Sequence, residues 1–175
     1  QERDRALGLE PERLGRLVEA LARAAGLGRE MRDRLRRFVT IHDLGEVILP
    51  DELRHRPGPL SPEERELLRR HPEVGQRLAL SLPELVPLAE WIHAHHERWD
   101  GRGYPRGLSG EAIPLPSRIL ALADAFDALT RPRPYRPVPP GRDFALREIR
   151  RQGGSQFDPT LTPLFLRLLE KDPSL

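Results

Sequence analysis

Leu14, Leu17, Val18, Leu21 and Ala25 recur at helical intervals and stop at Gly26-Leu27-Gly28, which predicts an amphipathic helix closed by glycine. A second helix is expected from about Glu30 into Ile41. Ser61-Pro62-Glu63-Glu64 has the order of a capping box. Ser61 caps, Pro62 takes the first helical position, where no N–H is needed, and Glu64 reaches back to the cap. That helix leads to His71, where Pro72 disfavours helical geometry in the residue before it and can open the next helix, HPEVGQRLALSL. His71 is therefore expected at a junction between helices. LPELVPLAEWIHAHHE reads as helical until Gly101, Gly103 and Pro105 end it, with His95 and His96 near that end. PSRILALADAFDALT carries the apolar stripe Ile119, Leu122, Ala123, Phe126 and Leu129. The proline-rich RPRPYRPVPPG is a connector within the domain, and helices near 143–152 and 158–170 complete the chain. Neither an internal repeat nor a strand pair is legible, so the expectation is one all-α domain over residues 1–175, a bundle of about seven to eight helices.

Composition narrows the chemistry. Lys plus Arg (29) nearly balances Asp plus Glu (27), so a formal charge of +2 gives no electrostatic reason to expect a nucleic-acid polymer or an anionic membrane as partner. Lys171 is the only lysine, and the other cations are arginines suited to forked binding of phosphate. Without cysteine there is no disulfide, no thiolate metal site and no cysteine nucleophile, so any metal must use His and carboxylate. No apolar run approaches the roughly 20 residues of a membrane span, and the chain reads as soluble and cytoplasmic. Starting at Gln1 rather than Met, it also reads as a fragment of a longer protein.

The candidate chemistry lies in His42-Asp43, His71, His93, His95-His96, Asp100, Asp124 and Asp127. Neighbours on a helix point about 100° apart, so a His-Asp or His-His pair serves two adjacent ions more readily than it chelates one. A carboxylate such as Asp43 can bridge them, and two ions roughly 3.5–4 Å apart activate a shared water and neutralise a phosphoryl group. Nitrogen and oxygen donors suit Fe, Mn or Zn. Taken alone, the His-Asp pair is an ordinary surface or capping pair, and His71 an ordinary junction residue bonded to backbone. Asp124 is harder to treat so, because an unpaired acid on a buried stripe costs several kcal/mol. Asp127 reads as a supporting or capping acid, Glu97 as one that orients a ligand histidine or caps its helix, His93 as a packing residue and His55 as a solvated loop residue.

HDLGEVILPD, HPEVGQRLAL, HHERWDGRGYP, IPLPSRILALADAFDALTRPRPYR and GGSQFDPTL, taken together and in order, resemble the HD-GYP domain, a branch of the HD phosphohydrolase superfamily. The resemblance runs from about residue 10 to 170, and HHExxDGxGYP is its most specific part. It implies an HD-domain helical bundle that hydrolyses cyclic di-GMP to pGpG or onward to GMP with two divalent ions, iron or manganese. Carried over by position, the metal ligands are His42, Asp43, His71, His95, His96 and Asp124, with Asp43 bridging and able to accept the proton of the attacking water. Gly103 and Tyr104 shape the substrate cleft, and Arg133 and Arg136 fall where the family contacts phosphate.

Two departures stand out. Where the family has HDxGK this chain has HDLGE, so Glu46 replaces a lysine and reverses its charge; the proton for the leaving 3′-oxygen must then come from a metal-held water or from Glu46. No histidine precedes His42, and Glu10 stands where three-metal members have one, so two ions are expected unless Glu10 or Glu46 recruits a third. Glu46 also keeps a second reading open, a signalling module that binds cyclic di-GMP or a protein partner without efficient cleavage. A third reading, hydrolysis of another phosphate ester, is disfavoured by the GYP motif.

Overall fold

The computed structural model describes residues 2–50, 53, 59–132 and 138–175, with only the backbone of residues 2–11. Two helices packed on each other open the chain, α1 (Glu2–Ala24) and α2 (Arg29–Ile41), joined through Gly26, whose φ of 79° is the left-handed turn that a helix end wants and glycine supplies freely. A 3-10 turn follows at Leu44–Ile48. Next come α3 (Pro62–Arg69), α4 (His71–Leu80), a 3-10 turn at Val86–Leu88, α5 (Ala89–His93), a 3-10 turn at Gly110–Ala112, α6 (Leu115–Thr130), α7 (Arg142–Gln152) and α8 (Leu161–Lys171). Among the described residues there is no strand, only isolated bridges at Asp100–Ser109 and Gly153–Phe157. The fold is all-helical, as expected.

The core is built on α6, which buries Ile119, Leu120, Leu122, Ala123 and Phe126 against Leu17 and Leu21 of α1, Phe38 of α2, Ile149 of α7 and Phe165 of α8. Each leucine, isoleucine or phenylalanine among them contributes about 1.5–3 kcal/mol on burial. Asp127, 1% exposed on the same helix, is held by Arg13 from α1 at 2.8 Å, with Arg131 at 3.5 Å, so this acid ties α1 to α6. The capping box at Ser61 and Glu64 is formed in full.

Two helix boundaries differ from the expectation. The segment from residue 82 to 97 is not one helix: it enters as the turn at Val86–Leu88, and α5 stops at His93. Pro83 and Pro87 have no N–H to give, and the Ile92 carbonyl that a continuing helix would offer to the His96 amide instead takes the His95 Nδ1–H at 2.5 Å. At the other end α8 starts at Leu161, because Asp158 accepts from the Thr160 and Leu161 amides at 2.7 and 3.1 Å and so sets the helix start behind itself.

Candidate metal centre

His42 and Asp43 leave the end of α2 just before the Leu44–Ile48 turn, and this turn packs on α4. The approach is so close that a Cβ on Gly45 would stand 1.8 Å from the His71 carbonyl oxygen and 2.6 Å from the Gly75 amide nitrogen. Two glycines thus let the His-Asp pair sit directly against His71. Sequence reasoning passed over them, although a glycine inside the helical HPEVGQRLAL is a sign of close backbone contact.

Three histidines are oriented by one repeated device. The Nδ1 of His42, His71 and His95 lies 2.7, 2.7 and 2.5 Å from the carbonyl oxygens of Val39, Leu68 and Ile92, each three residues earlier. A carbonyl only accepts, so each Nδ1 carries its hydrogen and each Nε2 of a neutral ring presents a lone pair. Those Nε2 atoms converge on Asp43. One carboxylate oxygen, Oδ1, is 3.5 Å from His71 and 3.4 Å from His95, while the other, Oδ2, is 2.8 Å from His42. The Nε2 atoms of His71 and His95 are 3.1 Å apart. Two lone pairs repel at that distance, so a proton on one ring or a cation beside both must separate them, and the donor set fits a divalent metal.

Ligand atoms of Asp43, His71, His95 and His96 lie within 4.8 Å of one another. His42 stands beside this group through Asp43. Asp124, on the face of α6 turned from the core, is near enough for its charge to act on His42 and on Tyr104. Burial alone would depress the His42 imidazole, but the hydrogen bond to Asp43 and the charges of Asp43 and Asp124 lift it to about 9. Burial would raise Asp43, yet the imidazoles of His42, His71 and His95 gathered around its two oxygens hold it well below the usual carboxylate range. His95 and His96 are pushed down by burial, His96 further by the adjacent His95 and His71. A metal ion would meet these last two rings already neutral.

The loop after the paired histidines is fastened to them. Glu97, 4% exposed, accepts the amides of Arg106 and Leu108 at 2.8 and 3.0 Å, so it neither orients a histidine nor caps a helix, as had been expected, but closes the GYP loop. A Cβ on Gly103 would lie 2.4 Å from the Arg98 nitrogen and 2.5 Å from the Glu97 Cα, which leaves only glycine room there. The Tyr104 amide bonds back to the His96 carbonyl at 3.3 Å, and the Tyr104 ring stacks on His96 at 4.8 Å. From the far side the terminal block supports the same loop, Gln156 and Ser155 accepting the Trp99 and Asp100 amides at 3.1 and 2.8 Å. Burial, with the charges of Asp43, Glu46 and Asp124, pushes the Tyr104 phenol far up its range against the opposing effect of Arg69.

Other candidates fall elsewhere. Asp100 is engaged by the Arg98 guanidinium at 3.1 and 2.8 Å. His93 lies outside the ligand group, half-buried on α5. Glu46 sits half-buried on the Leu44–Ile48 turn. Arg133, Arg136 and His55 lie outside the described residues, as does the Glu10 side chain.

Comparison with known proteins shows the family and the fold. The HD domain model matches residues 2–161. The chain is similar to a cyclic di-GMP phosphodiesterase of Thermotoga maritima, 38% identical over 159 residues that cover 90% of this chain and 43% of that protein. It is 39% identical over 167 residues to the 3′3′-cGAMP-specific phosphodiesterase 2 of Vibrio cholerae, covering 94% of this chain and 32% of that one. A crystal structure of a V. cholerae cyclic GMP-AMP-specific phosphodiesterase shares the fold, with a TM-score of 0.70 and 23% identity over 94% of this chain and 44% of that one. The chain spans less than half the length of these curated relatives.

Proposed function

This chain belongs to the HD domain family, in its HD-GYP branch, and from that premise we propose that it is a metal-dependent phosphodiesterase that hydrolyses cyclic di-GMP to linear pGpG, or onward to GMP. The observation that carries the reading is the convergence of three backbone-oriented Nε2 atoms on the two oxygens of Asp43. In this reading two divalent ions, Fe or Mn, are held by His42, Asp43, His71, His95, His96 and Asp124. When bound they supply a lowered pKa for water and neutralisation of the diester's negative charge.

The protein's own groups do the rest. Asp43 offers one oxygen to the His71–His95 side and one to the His42 side, which suits it to join both halves of the site and to take the proton of the attacking water. As the P–O3′ bond breaks, the departing oxygen needs one proton, which comes either from a water held in the site or from a protonated Glu46. Tyr104, Gly103 and the loop closed by Glu97 wall the cleft beside His96. Arg133 and Arg136 are assigned to the phosphates. A protein signalling partner belongs to the alternative reading that Glu46 keeps open.

The test is turnover of cyclic di-GMP by protein loaded with Mn or Fe, with pGpG and GMP followed by chromatography. The 3′3′-cGAMP named for one relative belongs in the same assay. Tight binding of cyclic di-GMP with no linear product under either metal would replace the enzyme by the signalling module.

A further inference from the structure

Arg69 stands at the edge of the site. It ends α3, two residues before His71, and its side chain is exposed. Its guanidinium carbon lies over the Tyr104 ring, 5.5 Å from the centroid, and the same ring stacks on His96 at 4.8 Å. A cation, a phenol and a candidate metal ligand thus form one column that runs from solvent into the site. Groups whose charge reaches the Tyr104 phenol include the carboxylates of Asp43, Glu46 and Asp124 and the guanidinium of Arg69. Among the described residues no carboxylate pairs with Arg69. Stacking uses the face of the guanidinium and leaves its N–H donors at the edge for an anion.

Resting on the functional reading above, we propose that Arg69 binds the phosphodiester of the cyclic dinucleotide that is not being cut. The substrate carries two such anions joined by a closed ring. With one at the Asp43–histidine cluster, the other must lie outward, and Arg69 presents a cation on that outward side, one ring beyond His96. Tyr104 holds the side chain in place before substrate arrives, which reduces the entropy lost on binding. Because the position is open to solvent, the attraction is salt-dependent.

The experiment compares wild type, Arg69→Ala, Arg69→Lys and Arg70→Ala on cyclic di-GMP and on bis(p-nitrophenyl) phosphate, a diester with a single anion, under Mn. Arg69→Ala should raise KM for cyclic di-GMP about tenfold, several times more than its effect on the small diester, and Arg69→Lys should fall between Arg69→Ala and wild type. Arg70→Ala, which removes the same charge one residue away, should stay within about twofold of wild type on both. Equal losses on both substrates, or none, would overturn the proposal. A loss seen with cyclic di-GMP but absent with cyclic di-AMP would give Arg69 to the guanine and overturn it equally. Wild type that cleaves neither diester fails the functional reading instead. Calorimetric affinity for cyclic di-GMP then decides, with about tenfold weaker binding in Arg69→Ala supporting the assignment and unchanged binding sinking it.

Discussion

Glu97→Gln keeps the shape of the side chain and removes its charge. The carboxylate now accepts two backbone amides, Arg106 at 2.8 Å and Leu108 at 3.0 Å, from a position 4% exposed. A carboxamide retains one acceptor and turns an N–H₂ toward the other amide, so one charge-assisted bond is lost and two donors face each other. A lost hydrogen bond to a charged group costs about 1.5–3 kcal/mol. Taking about 2 kcal/mol, opening of the loop becomes some 30 times more frequent. Hydrogen exchange at the Arg106 and Leu108 amides should accelerate by about that factor. If the loop opens only together with the rest of the molecule, Tm should fall by about 4–8 °C instead. Because the same loop carries Tyr104 against His96, KM for cyclic di-GMP should rise in either case. Wild-type exchange at both amides together with wild-type Tm would refute the view that Glu97 closes this loop.

Gly45→Ala places a Cβ 1.8 Å from the His71 carbonyl oxygen, so the His-Asp turn must move off α4; metal content measured on purified protein should drop with a stability loss of about 1–3 kcal/mol, and full metal content would count against the packing argument. Glu46→Lys replaces a carboxylate near Tyr104 with a cation, and kcat/KM on cyclic di-GMP should rise about tenfold if the acid is an impairment; a fall would mean that Glu46 itself serves the reaction. The His42 imidazole has its folded pKa raised from 6.5 to about 9, so its stabilising charge is fully present below about 6.5 and is lost as pH rises through about 9 in metal-free protein. Metal must displace that proton, so loading should release protons and Mn affinity should rise with pH up to about 9, as pH-dependent titration calorimetry would show. Asp43 has the opposite sign: its folded pKa is depressed, so its contribution is present above the ordinary 3.8 and fades as pH falls below that value.

Most of the helices, the Ser61–Glu64 cap and the types of donor available for a metal could be read from residue order alone. Helical periodicity, capping and the protonation chemistry of imidazole and carboxylate are local properties, fixed by neighbours within a few positions. His95 and His96 were misread as helical because the competing bond, from a side chain to the Ile92 carbonyl, carries no periodic signal. What tertiary packing alone decided is the meeting of His71 and His95, 24 residues apart, with the two oxygens of Asp43, together with the closing of the GYP loop by Glu97 and the seat of Arg69 on Tyr104. Those contacts depend on how the apolar faces of α1, α2 and α6 and the glycine contact between the Leu44–Ile48 turn and α4 bring distant segments together. A pattern of residues states which faces must be buried. Only the packed molecule determines which polar groups are left facing one another once they are.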